Sequence, residues 1–281
     1  MKESRRIYLE HDRMTDPKTM KPLVADMPKD IETIVAYVQN ILLHQHWSRA
    51  YGLELSEERN QEPNLRSFEE KLIFLNQRGC QHVSEKRGAA DRMIGICRDF
   101  SVAAAALCRE AGIPARARCG FATYLEAGKY IDHWVLEYWN EEQQRWVMTD
   151  AQMDALQRKA LQLLFDPLDV SGEYFITGPR AWQMCRQGKA DPELFGIFQW
   201  WGYDYLRCNL ILDINSLLGQ PMQPWDMWAG YKSLPIEAWT VQDYEAMDEL
   251  SRLALEVDGD WNALYKFVEE NGKVKVSKDF K

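Results

Sequence analysis

The chain has 281 residues, 46% hydrophobic and 27% charged, the proportions of a folded globular protein with room for one large or two small cores. A formal net charge of −9 argues against nucleic acid or an anionic membrane as the main partner. No run reaches the roughly 18–20 consecutive apolar residues of a membrane-spanning helix. The charged start Met1-Lys2-Glu3-Ser4-Arg5-Arg6 lacks the apolar core of a secretion signal, so a cytoplasmic location is expected.

In chain order, 1–28 carries mixed charge with Pro17, Pro22 and Pro28 and reads as an irregular N-terminal arm. From Lys29 to about Trp47, Ile31, Ile34, Val35, Val38, Ile41 and Leu42 recur at helical spacing and predict an amphipathic helix. The polar stretch 51–66 reads as loop, and 68–75 as another helix. Ser101 to Glu110 predicts a helix with a nearly all-apolar interior, opening near Asp99 and stopped by Gly112 and Pro114. Residues 113–124 alternate, with Ala115, Ala117, Cys119 and Phe121 on one face and Arg116 and Arg118 on the other, facing either a cleft or solvent. Strands at 132–139 and 145–150 follow, joined by the polar loop Asn140-Glu141-Glu142-Gln143-Gln144. Helix followed by antiparallel strands predicts an α+β architecture. Beyond 170 the pattern weakens, with helices expected at 203–218, 243–256 and 261–269.

The six cysteines (80, 97, 108, 119, 185 and 208) fall singly, giving neither a disulfide framework nor a metal-ligand spacing. No metal and no other cofactor is expected. His44 and His46, two residues apart, do not share a helix face, which argues against a metal pair there. Cys108 and Cys119 fall on apolar faces and read as core.

Cys97, at the mouth of the apolar helix, would have unpaired backbone amides and the positive dipole end at its sulfur, which favours thiolate. The same amides suit an oxyanion. His133 opens the next strand but one, and Asp150 ends the strand after it. A thiol, an imidazole and an orienting carboxylate are the parts of a cysteine acyl enzyme. Each residue also has an ordinary reading, as buried thiol, satisfied core histidine or strand-end aspartate. The chemistry rests on their joint occurrence. Asp99 reads as a helix cap, and Arg98 as an exposed structural arginine.

These pieces together resemble the transglutaminase-like superfamily of papain-fold cysteine enzymes. The resemblance is carried by Gly95-Ile96-Cys97, by Leu107-Cys108-Arg109-Glu110-Ala111-Gly112-Ile113-Pro114-Ala115-Arg116, by Gly120-Phe121, by His133-Trp134-Val135-Leu136-Glu137-Tyr138 and by Trp146-Val147-Met148-Thr149-Asp150. It implies a nucleophile helix on an antiparallel sheet, with Cys97 as nucleophile, His133 as general base and acid, and Asp150 as orienter. It also implies a second oxyanion donor upstream of the nucleophile; no motif fixes that position, and Trp47 is the residue considered. The paired zinc cysteines of eukaryotic peptide N-glycanases and the calcium-binding immunoglobulin-like module of animal transglutaminases have no counterpart here.

The expected organisation is an arm over 1–28, a catalytic core over 29–170, and a Trp-rich, mainly helical extension over 171–281 packed on the core. Within that extension, 199–203 and 223–228 are the candidate substrate wall or lid; the plainer reading is an aromatic helical layer. The expected activity is a Cys97 thioester formed from a peptide, protein or small amide substrate and passed to water or an amine. A non-catalytic binding module and a peptide N-glycanase-like amidase are the alternatives.

Overall fold

The computed structural model describes residues 3–228, 230 and 234–276. The elements in chain order are α1 (Glu3–Ile7), α2 (Ile31–Ile41), β1 (Leu42–His44), α3 (Phe68–Gln77), β2 (Met93–Gly95), α4 (Cys97–Glu110), β3 (Ala115–Ala122), β4 (Tyr130–Asn140) and β5 (Arg145–Thr149). There follow α5 (Ala155–Ala160), β6 (Phe175–Thr177), α6 (Gly178–Arg186), β7 (Phe195–Ile197), β8 (Trp200–Trp201), α7 (Tyr203–Leu217), α8 (Val241–Leu255) and α9 (Trp261–Glu270). The fold is α+β, with a six-stranded sheet in the order β6-β3-β4-β7-β8 and β5 also on β4. The ladders β3–β6, β4–β5 and β7–β8 are antiparallel, whereas β7 runs parallel to β4.

Two compact units divide the chain, and β3 and β4 each pass from one into the other. The first comprises Arg5–Ala117 and Trp134–Val170. Its core joins Ile34, Val35 and Val38 of α2, Leu72 and Leu75 of α3, the alanine run of α4, and Leu136, Tyr138 and Val147 from the strands. Burying such side chains contributes about 1.5–3 kcal/mol each, which is what fixes α4 against its surroundings. Local chemistry sets the helix bounds. The Asp30 carboxylate accepts from the Thr33 amide at 2.9 Å to open α2, and Ser67 and Glu70 form a reciprocal capping box on α3. Helix α4 ends in a Schellman arrangement, with the amides of Ile113 and Gly112 donating to the carbonyls of Cys108 and Arg109 at 2.8 and 2.9 Å. Gly112 takes the required left-handed turn at φ 73°.

The second unit is chiefly Arg118–His133 and the chain from Ser171 onward. Trp182, Trp239, Tyr203 and Tyr244 form an aromatic core among its helices, and the Trp182 indole donates to Asp248 at 2.8 Å. These aromatics form a packed layer. Trp200 and Trp225, by contrast, are exposed.

Several expectations need correction. The first helix stops at Ile41 because Leu42-Leu43-His44 pairs in parallel with Met93-Ile94-Gly95, a tertiary partner that overrides the helical pattern. The arm is not wholly irregular: α1 and a 3₁₀ turn at Lys18–Val24 lie within it, and Leu23 and Val24 are buried. Helix α4 opens at Cys97 rather than near Asp99.

Candidate active site

Cys97 is the first residue of α4, directly after β2 and the extended residue Ile96. The turn is built from Asp99, whose Oδ2 accepts from the Ile96 amide at 2.9 Å, while the Asp99 amide donates to the Ile96 carbonyl at 2.8 Å. The helix cap expected of Asp99 is therefore real. Its other oxygen, Oδ1, takes Lys71 Nζ at 3.0 Å and Arg98 Nη1 at 3.2 Å, and all three side chains are buried. The Arg98 guanidinium also donates to the Arg66 carbonyl at 2.7 Å, and the Lys71 ammonium to the Leu65 carbonyl. Arg98 is thus an interior residue, not an exposed one. Burial depresses the Lys71 ammonium from its ordinary range, and the facing Asp99 carboxylate opposes that shift.

The strand before the nucleophile is tied down in turn. Glu62 Oε2 accepts from the Ile94 amide at 2.6 Å, and Arg59 Nε donates to Glu62 Oε1 at 2.9 Å. The Ser101 hydroxyl donates to the Cys97 carbonyl at 3.1 Å. His44 lies opposite Gly95 in the β1–β2 ladder, with its ring centroid 6.4 Å from that of Phe100 and its Nδ1 accepting from the His46 amide at 3.3 Å. His44 is thus paired with the residue two before Cys97. The sequence pattern sets His44 in or just after the first helix; its pairing is not legible there, because strands of three residues carry no periodicity. Trp47 lies in the 3₁₀ turn Gln45–Tyr51 that follows β1.

Cys97 retains 9% exposure, whereas Cys80, Cys108 and Cys119 are sealed at 0%. Burial pushes the Cys108 thiol up to about 12 and raises Cys80 as well, so these are core thiols. All six cysteines are free.

Asp150 directly follows β5 and is buried. Its amide donates to the Pro167 carbonyl at 2.7 Å, and its Oδ1 accepts from the Gln152 amide at 3.1 Å. The Gln152 side chain donates to Gln157 at 2.9 Å, while its own Oε1 is buried without a hydrogen-bond partner. His133 lies in β4, buried, with the Tyr124 ring edge-on at 6.0 Å. Arg116 and Arg118 face neither a cleft nor solvent. Arg116 pairs with Glu137 at 2.5 Å between the rings of Tyr8 and Trp146, and Arg118 grips Asp213 through two bonds at 2.9 and 2.7 Å.

Among the described residues, no helix is long and apolar enough to cross a membrane. Comparison with the curated proteins gives no match. Among solved structures, the chain is similar to a candidate cysteine protease from Cytophaga hutchinsonii, at 17% sequence identity and a TM-score of 0.35. That likeness covers 54% of this chain and 43% of the other, so it spans less than half of that protein's length. The family model of the transglutaminase-like superfamily matches residues 76–151, which run from the end of α3 through α4, β3, β4 and β5 to the residue after Asp150. Residues 76–151 of this chain are therefore similar to the core of the transglutaminase-like superfamily.

Proposed function

We propose that the chain is a cysteine-dependent acyl enzyme acting on an amide bond, with Cys97 as nucleophile, His133 as base and acid, and Asp150 as orienting carboxylate. The observation that carries this reading is the setting of Cys97: a thiol with 9% exposure at the first position of α4, directly after β2, where the positive end of the helix dipole favours thiolate.

Strand register supports the two partners. Leu136 pairs with Thr149, the last residue of β5, so the same register carried one residue further would set Asp150 against Val135. Side chains alternate along a strand, and this parity gives 133 and 135 a common face, the one that Asp150 would share.

In the proposed reaction the Cys97 thiolate attacks the amide carbonyl, and the α4 amides receive the developing oxyanion. The tetrahedral adduct collapses to a thioester as the C–N bond breaks and the imidazolium gives its proton to the departing amine. Water or a second amine then attacks the thioester, releasing the acyl group and regenerating the thiol. The substrate is a peptide, a protein or a small amide. Six free thiols suit a reducing, cytoplasmic setting.

The test uses the intact chain. Iodoacetamide labelling mapped by mass should modify Cys97 first, and already at about pH 6, below the ordinary thiol range of about 8.5. A His133→Ala variant incubated with cell extract should accumulate a mass adduct on Cys97 that Cys97→Ala lacks. Labelling of Cys97 only near the ordinary thiol range, together with amide turnover unchanged in Cys97→Ala, removes the assignment.

A further inference from the structure

We infer that α7, outside the matched 76–151 segment, is a clamp that fixes the strand carrying His133, with Asn209 as its positioning residue. The inference rests on His133 being the base of the proposed acyl enzyme. Asn209 is buried in the middle of α7, and its amide donates twice: to the Gly120 carbonyl on β3 at 3.0 Å and to Asp132 Oδ1 on β4 at 2.8 Å. Asp132 is the residue immediately before His133. One turn along α7, the buried Asp213 accepts from Arg118 through both oxygens and from the Cys119 amide at 2.8 Å. Asn209 and Asp213, spaced i and i+4, therefore present two polar groups to the adjoining strands on one helix face.

Packing alone does not require this arrangement. Asn209 Oδ1 is buried with no hydrogen-bond partner, a desolvation cost that a leucine at the same place would avoid. Gly178 packs against this residue, where a Cβ would stand 2.7 Å from that same oxygen and 2.9 Å from the Asn209 backbone carbonyl oxygen. A buried amide that leaves its oxygen unpaired while donating twice indicates that its two donated bonds matter. They fix Asp132 from one side while the Tyr124 ring bounds His133 from another. Among the described residues, the charged and titratable groups around this clamp include Asp132, Asp213, Arg118, Cys119 and Tyr124. An imidazole must be held to within a fraction of an ångström to keep a thiol poised as thiolate.

The experiment measures the iodoacetamide labelling rate of Cys97 against pH, mapped by mass, on the full chain. Asn209→Leu removes both donated bonds at similar volume, and Asp132→Ala removes the β4 acceptor from the other side. Each should slow labelling at about pH 6 by about tenfold, which corresponds to a rise of about one unit in apparent thiol pKa. Above about pH 9, where the thiol ionises unaided, the rates should converge with wild type. Asp132→Asn, which keeps an acceptor, should restore the low-pH rate. A folded Asn209→Leu or Asp132→Ala chain whose profile overlays wild type, with only a lower melting temperature, overturns the clamp. A wild-type chain with no reactivity below the ordinary thiol range defeats the acyl-enzyme reading itself, and that arm is scored before any variant.

Discussion

Gly95 and Asp99 meet across the turn that presents Cys97. A Cβ on residue 95 would lie 3.2 Å from Asp99 Oδ2, the same oxygen that accepts the Ile96 amide. The glycine is therefore a matter of space at the nucleophile turn, not of an unusual backbone angle. Gly95→Ala should displace this carboxylate and weaken the cap, lowering stability by about 1–2 kcal/mol by analogy with other lost caps. Urea unfolding of the two proteins measures it, and an unchanged midpoint would show that the turn absorbs the methyl group.

Beneath that turn, Lys71, Arg98 and Asp99 form a buried cluster with two positive groups against one negative. Asp99→Asn strands two buried cations and should cost about 3–5 kcal/mol, as breaking a buried pair does. Lys71→Met leaves Asp99 paired with Arg98 and should cost less, and the double variant should cost less than the sum of the two, because Lys71 and Asp99 interact directly. Additive losses in a double-mutant cycle would mean that the two groups do not interact across their 3.0 Å separation.

The stretch from 95 to 150 is legible in sequence because its signals are local. The apolar run of α4, the Gly112-Ile113-Pro114 stop and the alternation of β3 each specify structure within a few residues. The hairpin is equally local: Asn140 Oδ1 accepts from the amides of Glu142 and Gln143, both at 3.0 Å. What escapes is set by distant partners. Strand β1 exists because of β2, about fifty residues away. The short strands β6, β7 and β8 are defined by their neighbours in the sheet. Arg116 and Arg118 mark a polar face by alternation, but only the fold supplies Glu137 and Asp213 to neutralise them. His44 and Asn209 carry no motif at all, and their roles appear only once chain segments far apart in sequence come together.

The bidentate contact between Arg118 and Asp213 joins β3 to α7 inside the second unit, and Asp213 also holds the Cys119 amide. Arg118→Met should therefore destabilise by about 3–5 kcal/mol, leaving a buried carboxylate with one backbone donor. Adding Asp213→Leu should recover part of that loss, since an apolar pair needs no charge partner, though the Cys119 amide then goes unpaired. Chemical denaturation of the three variants decides this, and a double variant no more stable than Arg118→Met would contradict it.

Cys108 offers a pH signature of the core. Its thiol is sealed in α4, and burial lifts it from the ordinary value of 9.0 to about 12. In the unfolded chain the same thiol ionises from about pH 9, so between about 9 and 12 the unfolded state binds fewer protons than the folded one. Stability must then fall as pH rises through that window, by about 1.4 kcal/mol per pH unit from this one group. Below pH 9 the thiol is protonated in both states and contributes no slope. Cys108→Ala removes the titration and leaves a small cavity whose cost does not depend on pH. Urea midpoints of both proteins at pH 8, 9.5 and 10.5 should diverge at pH 8 by the cavity cost alone and draw together as the alkaline term grows. Parallel curves across that range would mean that the Cys108 thiol ionises as readily in the folded chain as in the unfolded one.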